Sequence, residues 1–291
     1  MKRDIHDIYD VILKIIAMSY GTTFLNYINV GKKINEVLNS EITTMKGNKI
    51  YLDFLCSVDD DTLCHIEFQF PMAKANDLDR FFNYNITAQV RHQKLTETTV
   101  INFTSNVNEG NIFKIGETKC FKPKYFHLGD IDFEDFLEKI NIKVNSNTKL
   151  TSFEEITLML ICLIPKCENK GETLKRICEI LKKKELFDES KLEFVEAVIK
   201  LEIENLLTFN EQKNIEGEIK MTPQAEKIIL QAIHEVNKKT LYEAKTEGKK
   251  EGIQEGIQKG IQKIAQNLKG NLTPEEISKY TGLTIKEIEK L

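Results

Sequence analysis

The chain has 291 residues, 41% hydrophobic and 30% charged, with 41 Lys and Arg against 45 Asp and Glu for a formal net charge of −4. This balance supports a buried core and excludes wholesale disorder, and no run of ~18 apolar residues offers a membrane-crossing helix. An all-over basic coat is excluded as well, so contact with nucleic acid has to come from a local basic patch.

The opening stretch MKRDIHDIYDVILKII has acids among its first ten residues and no small-residue cleavage site. It does not read as a secretory signal, and a cytoplasmic protein without a membrane partner is expected. Cysteines at 56, 64, 120, 162, 167 and 178 form no C-x-x-C and join no histidine pair. They read as buried thiols, neither a zinc cage nor a disulfide framework.

In chain order, Ile5, Ile8, Ile12, Ile15 and Ile16 recur at helical spacing. Residues 5–39 read as two helical pieces parted by Gly21-Thr22-Thr23, the second running from Phe24 to Leu38. Residues 50–58 and 62–70 read as two strands around Asp59-Asp60-Asp61. A helix opened by Asp77 is predicted over 77–97, a strand over 99–106, and another over 119–128 interrupted by Pro123. Composition shifts near residue 150, after which amphipathic helices are predicted over 152–164, 171–185 and 189–208, giving a helical domain over 146–235.

A long helix is predicted after Pro223, running toward Gly270, and its part over 236–270 carries Gly248, Gly252, Gly256 and Gly260 beside Ile253, Ile257 and Ile261. Each glycine costs a helix ~1 kcal/mol relative to Ala. Their period is explained either by close approach of a partner helix or by a charged, loosely helical linker. The tail, 271–291, holds two capping boxes, Thr273 with Glu276 and Thr284 with Glu287, and Gly282 ends the first helix. This miniature helix-turn-helix suits assembly or DNA contact, although its second helix is short and acidic for a groove reader.

Residues 50–70 carry the chemistry. A three-residue loop sets Phe54 opposite Ile66, Leu52 opposite Phe68 and Cys56 opposite Cys64, so that all these apolar positions share one face. On the other face the same register sets Asp53 opposite Glu67, Tyr51 opposite Gln69 and Leu55 opposite His65. Opposed side chains have Cβ atoms ~4.5–5.5 Å apart, and two unpaired carboxylates there repel by about 3 kcal/mol at an effective dielectric near 20. A cation between them resolves the repulsion. Mg²⁺ (or Mn²⁺) suits two such oxygens, with the Phe68 carbonyl as a further ligand. The competing reading is a solvent-facing acidic strand side screened by water and nearby Lys or Arg. His65 is either a general base or a packed neighbour of Glu67, and Tyr84 either hydrogen-bonds near the site or packs. G-x-x-x-x-G-K-[ST], G-x-G-x-x-G after a strand, and G-x-S-x-G do not occur, which disfavours a P-loop NTPase, a Rossmann dehydrogenase or a Ser hydrolase.

Asp53 followed by thirteen residues and then Glu67-Phe68-Gln69 resembles the PD-(D/E)XK nuclease superfamily, and within it the recombination-promoting nuclease and transposase-like branch, whose final motif is Glu-X-Gln. Arg80 and Tyr84, one helical turn apart, resemble the Arg…Tyr helix of that branch. The His6-Asp7 opening and the Gly-Ile repeat with its tail LTPEEISKYTGLTIKEIEKL extend the resemblance to both ends. The resemblance implies an α/β fold: a restriction-endonuclease-like core over 1–145, a mixed sheet flanked by helices, then an all-α C-terminal region. It implies a Mg²⁺-dependent DNA endonuclease that hydrolyses phosphodiester bonds, with Asp53 and Glu67 as metal ligands. Gln69 stands where the superfamily has lysine; Arg80 would supply the missing cation if its helix packs over this face, and Glu36, with Asp7 behind it, is the candidate helical acid. Partners on this reading are DNA and further copies of the chain, joined through the Gly/Ile helix and tail. The alternative is a non-catalytic, oligomerising nucleic-acid-binding module with a degenerate nuclease fold.

Overall fold

The structure, a computed structural model, describes residues 5–44, 49–70, 73–105, 113–115, 119–164, 166–215, 222–269 and 273–290. They fall into two compact units, Met1–Lys239 and Thr240–Leu291.

In the first unit, α1 (Ile5–Tyr20) buries Ile8, Ile12, Leu13, Ile15 and Ile16, as the spacing requires. α2 (Thr22–Tyr27) then stops short. Asn29 and Gly31 take φ of 59° and 70°, left-handed values through which a right-handed helix cannot continue. The chain leaves extended, and the second half of the helix expected from Phe24 to Leu38 is instead strand β1 (Ile34–Val37).

The strand expected over 50–58 is two strands. β2 (Glu41–Thr43) pairs with β3 (Lys49–Tyr51) as a separate ribbon, while β4 (Phe54–Val58) pairs with β5 (Leu63–Gln69). Phe54 faces Ile66, Leu55 faces His65 and the free thiols Cys56 and Cys64 face each other, as the loop length requires. Asp61 closes that loop at φ 64°, the left-handed residue a three-residue hairpin loop calls for. The Tyr51–Gln69 and Leu52–Phe68 pairings are not formed, because Tyr51 is paired with Glu41 and the Leu52 N–H donates to the Ser40 carbonyl at 2.9 Å. The break changes the faces. Ile50 and Leu52 pack with Leu55, Leu63, Tyr84 and Ala88, while Phe54, Cys56 and Val58 pack with Cys64, Ile66 and Phe68 on the other side.

α3 (Ala75–His92) connects β5 to β6 (Thr96–Asn102), which runs parallel to it. A second ribbon, β7 (Phe113–Ile115) with β8 (Lys119–Phe121), precedes β9 (Lys124–His127), which is parallel to β6. The main sheet is therefore mixed, in the order β1-β4-β5-β6-β9. Residues of α1 pack on one face with Phe54, Ile66 and Ile101; Leu78 and Phe81 of α3 pack on the other with Val100.

Four helices follow: α4 (Phe133–Asn145), α5 (Ser152–Leu160), α6 (Lys170–Leu181) and α7 (Leu192–Leu206), then the short α8 (Phe209–Lys213). A capping box starts α5, where Glu154 accepts from the Thr151 N–H and Thr151 Oγ accepts from the Glu154 N–H. The buried faces of α5, α6 and α7 share a core with α1 and with Ala225, Ile229, Ala232 and Val236, early in α9 (Pro223–Leu268). That packing holds the first turns of α9 beside α1.

The second unit contains the remainder of α9, with α10 (Pro274–Thr281) and α11 (Ile285–Lys290). Ala265, Ile277, Leu283 and Ile288 form its small core. Both expected capping boxes are present, and Gly282 ends α10 at φ 73°. A Cβ added at Gly248, Gly252, Gly256 or Gly260 would meet nothing within 4 Å. Among the described residues no helix is long and apolar enough to cross a membrane.

Candidate functional site

The break before β4 gives Asp53 its position. Its backbone leaves the ladder, and its side chain turns back to β5, where Oδ2 accepts from the Phe68 N–H at 2.8 Å. The Asp53 N–H donates to Glu67 Oε1 at 3.3 Å. The contact joins the Asp53 backbone to the Glu67 carboxylate without the expected opposed ladder pairing, and both residues lie below the surface: Asp53 is 5% exposed and Glu67 is 0%. A solvent-facing acidic strand side does not describe this pair.

A directed chain of hydrogen bonds holds Glu67. Asn85 donates to Thr98 Oγ1 at 2.9 Å and to the Thr96 carbonyl at 2.7 Å. Thr98 Oγ1 lies 3.1 Å from His65 Nδ1, and His65 Nε2 donates to Glu67 Oε1 at 2.7 Å. Burial opposes ionisation of Glu67, but the His65 bond and charge, with Lys239 and Arg80, hold its carboxyl down at about 2. His65 is wholly buried, so it orients and supports Glu67 and does not act as a solvent-facing base. Glu67 Oε2 is buried and has no hydrogen-bond partner among the described residues. An acceptor of this kind is costly to leave unmade.

The cation at the pair comes from far along the chain. Lys239 of α9 donates to Asp53 Oδ1, and its ammonium lies 3.9 Å from Asp10 Oδ2 of α1. Burial and the Glu67 charge push the Asp53 carboxyl up; Lys239 and the Phe68 N–H pull against them. A gap of about 10 Å³ lies among Asp10, Asp53, Phe68 and Lys239, roughly the space one water occupies. Sequence reasoning missed both Lys239 and Asp10. For Lys239 no local signal exists. Asp10 and Lys14 did leave one, as charged residues one turn apart on a helix whose neighbours are almost all apolar.

The other expected residues divide. Gln69 ends β5, and Arg80 Nη2 donates to its Oε1 at 2.9 Å, so α3 does bring a guanidinium to this edge. Arg80 also lies 3.7 Å from Asp77. Tyr84 packs with Leu52, Leu55 and Leu63, its ring 6.3 Å from that of His65. Glu36 is not a helical acid: it is exposed on edge strand β1, opposite Ser57, because the second helical piece ends before it. The carboxylate that α1 brings to the site is Asp10. The side chains of His6 and Asp7 lie outside the described residues.

No family model, no curated protein and no solved structure matches this chain.

The donor set can be tested against a divalent ion on its own chemistry. Among the described residues no three His, Cys, Asp or Glu side chains are grouped closely enough to form a metal cage. Two carboxylates do converge, one with an unpartnered buried oxygen, and an ammonium already sits where positive charge is needed. Hard oxygens from one or two carboxylates, with water completing the shell, are what Mg²⁺ takes. Asp53 and Glu67 carry oxygens of that kind; Asp53, Asp10 and Phe68 line the gap, and Glu67 is not among its lining residues.

Proposed function

We propose that the first unit is a metal-dependent hydrolase of DNA phosphodiester bonds, of the recombination-promoting nuclease kind. The carrying observation is the buried meeting of Asp53 and Glu67 at the break before β4, with Glu67 Oε2 unpartnered. A mixed five-stranded sheet flanked by helices supports this reading.

Asp53 and Glu67 would hold Mg²⁺ or Mn²⁺, which supplies a more acidic water and positive charge to offset that on the phosphate. His65 keeps Glu67 ionised and in place. Gln69 can donate a hydrogen bond but brings no charge; the Lys239 ammonium, on Asp53, brings that charge from α9. Arg80 fixes the Gln69 amide by holding its oxygen. Homo-oligomerisation is assigned to the C-terminal helix and tail, where Ile257 and Ile264 are exposed beside Gly256 and Gly260.

Plasmid nicking with Mg²⁺ or Mn²⁺, beside Mn²⁺ titration, tests this reading. Wild type should nick and bind Mn²⁺, and Asp53→Ala and Glu67→Ala should lose both. Equal nicking by wild type and Asp53→Ala would count against it. One observation favours a second reading, a non-catalytic oligomerising module that binds nucleic acid: Lys239 already balances Asp53 without a metal. DNA binding retained without Mn²⁺ uptake would select it.

A further inference from the structure

β5, β6 and β9 run parallel, and the register sets their last residues in one row, Gln69 beside Asn102 and Asn102 beside His127. The row stands two residues beyond Glu67 on the same face of the sheet, the face on which α3 packs. The carboxyl edge of parallel strands is where an open α/β sheet takes its ligands. This edge is tightly clasped. Ser105 Oγ donates to the Gly129 carbonyl at 2.7 Å, and a Cβ on Gly129 would lie 2.2 Å from the Ser105 nitrogen, so the chain past β6 touches the chain past β9.

What the row offers is donors. Arg80 Nη2 donates to Gln69 Oε1 at 2.9 Å, and the Ala73 N–H donates to Asn102 Oδ1 at 3.0 Å. Only an amide oxygen can accept these bonds, so each amide is left to present its NH₂. His127 Nδ1 and the hydroxyl of Thr104, just past β6, are buried and have no hydrogen-bond partner among the described residues. Polar atoms left in this way cost stability until something bonds them. The His127 ring is stacked with Tyr125, 6.2 Å away at 26°. An imidazole donates from one nitrogen when neutral and from both when charged. The row contains no carboxylate, so it suits an acceptor-rich anion, and Asn, Gln and Thr side chains are regular donors to phosphate. Strands lie about 4.8 Å apart, which puts the His127 backbone about 10 Å across the sheet from Gln69. A phosphate above Asn102 is flanked by both side chains, whereas a phosphodiester held at Asp53 and Glu67 is too far from His127 to meet it.

We infer that Gln69, Asn102, Thr104 and His127 seat the DNA phosphate next to the one to be cut, donating to its oxygens. This deepens the hydrolase reading and rests on it for the cutting step alone; strand binding is measured without metal. The test is fluorescence anisotropy of a labelled 15-nucleotide strand with the full chain in EDTA at one salt concentration. His127→Leu should weaken binding about tenfold, the loss of one hydrogen bond to a charged group. His127→Gln keeps an N–H donor and should recover part of that loss. A methylphosphonate strand has the same bases and uncharged linkages, and should bind wild type and His127→Leu alike. If circular dichroism shows His127→Leu to be misfolded, Thr104→Val, which keeps the shape of its side chain, decides in the same way. Wild-type affinity in the variant, or an equal loss on the methylphosphonate strand, overturns the inference. So does calorimetric uptake of inorganic phosphate with a His127 dependence that the strand lacks, which would mark a site for a free anion. If Asp53-dependent nicking survives such a result, the hydrolase reading stands without this site. If the His127 dependence holds while Asp53→Ala changes neither nicking nor Mn²⁺ uptake, the phosphate site stands and the hydrolase reading falls.

Discussion

Lys239 donates to Asp53 across 186 residues of chain, so a helix that begins after residue 222 completes a site laid out by the first 70. Removing one partner from a buried pair leaves an uncompensated charge and costs about 3–5 kcal/mol. Lys239→Met should therefore destabilise the protein at pH 7. Asp53 is raised in the fold, so its contribution is complete below its ordinary value near 4 and is lost as pH rises through the folded value. Without Lys239 that folded value climbs further. Urea midpoints of wild type and Lys239→Met should converge near pH 4 and separate toward pH 7; parallel curves would refute the pairing.

His65 Nε2 lies 2.7 Å from Glu67 Oε1, and Glu67 Oε2 has no partner among the described residues. His65→Leu should lower Mn²⁺ affinity about 10–100-fold, the usual effect of removing a group that orients a ligand. Glu67 is held down at about 2 in the fold, so its stabilising contribution is present above its ordinary value near 4.3 and is lost as pH falls toward 2. The variant should show a flatter acid limb between pH 5 and 3, read by urea unfolding beside calorimetric Mn²⁺ titration. An unchanged acid limb would remove His65 from this role.

Arg80 and Gln69 act as a unit at the end of β5. Arg80→Ala and Gln69→Ala should each slow nicking about tenfold or more with Mn²⁺ affinity unchanged, and the double variant should be no slower than the worse single. Independent, multiplying losses in the double variant would show that the contact does not matter for the reaction. Arg80→Lys should not rescue, because an ammonium lacks the planar fork of a guanidinium.

Glu202 of α7 is fully buried, and neither carboxylate oxygen has a hydrogen-bond partner among the described residues. Burial pushes its pKa well up, partly countered by Lys170. A raised carboxyl contributes fully below its ordinary value and costs stability as pH rises from there to the folded value, at about 1.4 kcal/mol per pH unit. Glu202→Leu should therefore stabilise the protein more at pH 8 than at pH 5. A pH-independent difference in unfolding free energy would contradict this.

Removing residues 246–291 should lower the mass seen by light scattering, if the C-terminal helix and tail join copies of the chain. The first compact unit ends at Lys239, so the shortened protein keeps the Asp53 pair. An unchanged mass would withdraw the assembly assignment.

Local rules carried a good part of the fold. Apolar spacing located α1 and the helices after residue 150, the three-residue loop set the β4–β5 register, and Thr-x-x-Glu boxes marked the starts of α10 and α11. Each of these depends on residues a few positions apart. The break at Leu52-Asp53 escaped those rules, because alternation continues through it; a competing partner strand, β2, drew residues 49–51 away. Glu36 was misplaced for a similar reason, since two left-handed residues outweighed the helical pattern around them.

By itself, then, the amino-acid order determined the register of β4 against β5 from Phe54 to Ser57, because hairpin geometry is a matter of loop length and pleat; the placing of Asp53 beside Glu67 came from the break before β4. Their burial, the ammonium that faces them, the acid of α1 and the gap beside Asp53 were decided by tertiary packing alone. α1 and α9 arrive from distant parts of the chain, and what brings them together is the apolar core they share, whose attraction depends on buried area and carries no record of sequence separation; α3 packs separately on the other face of the sheet.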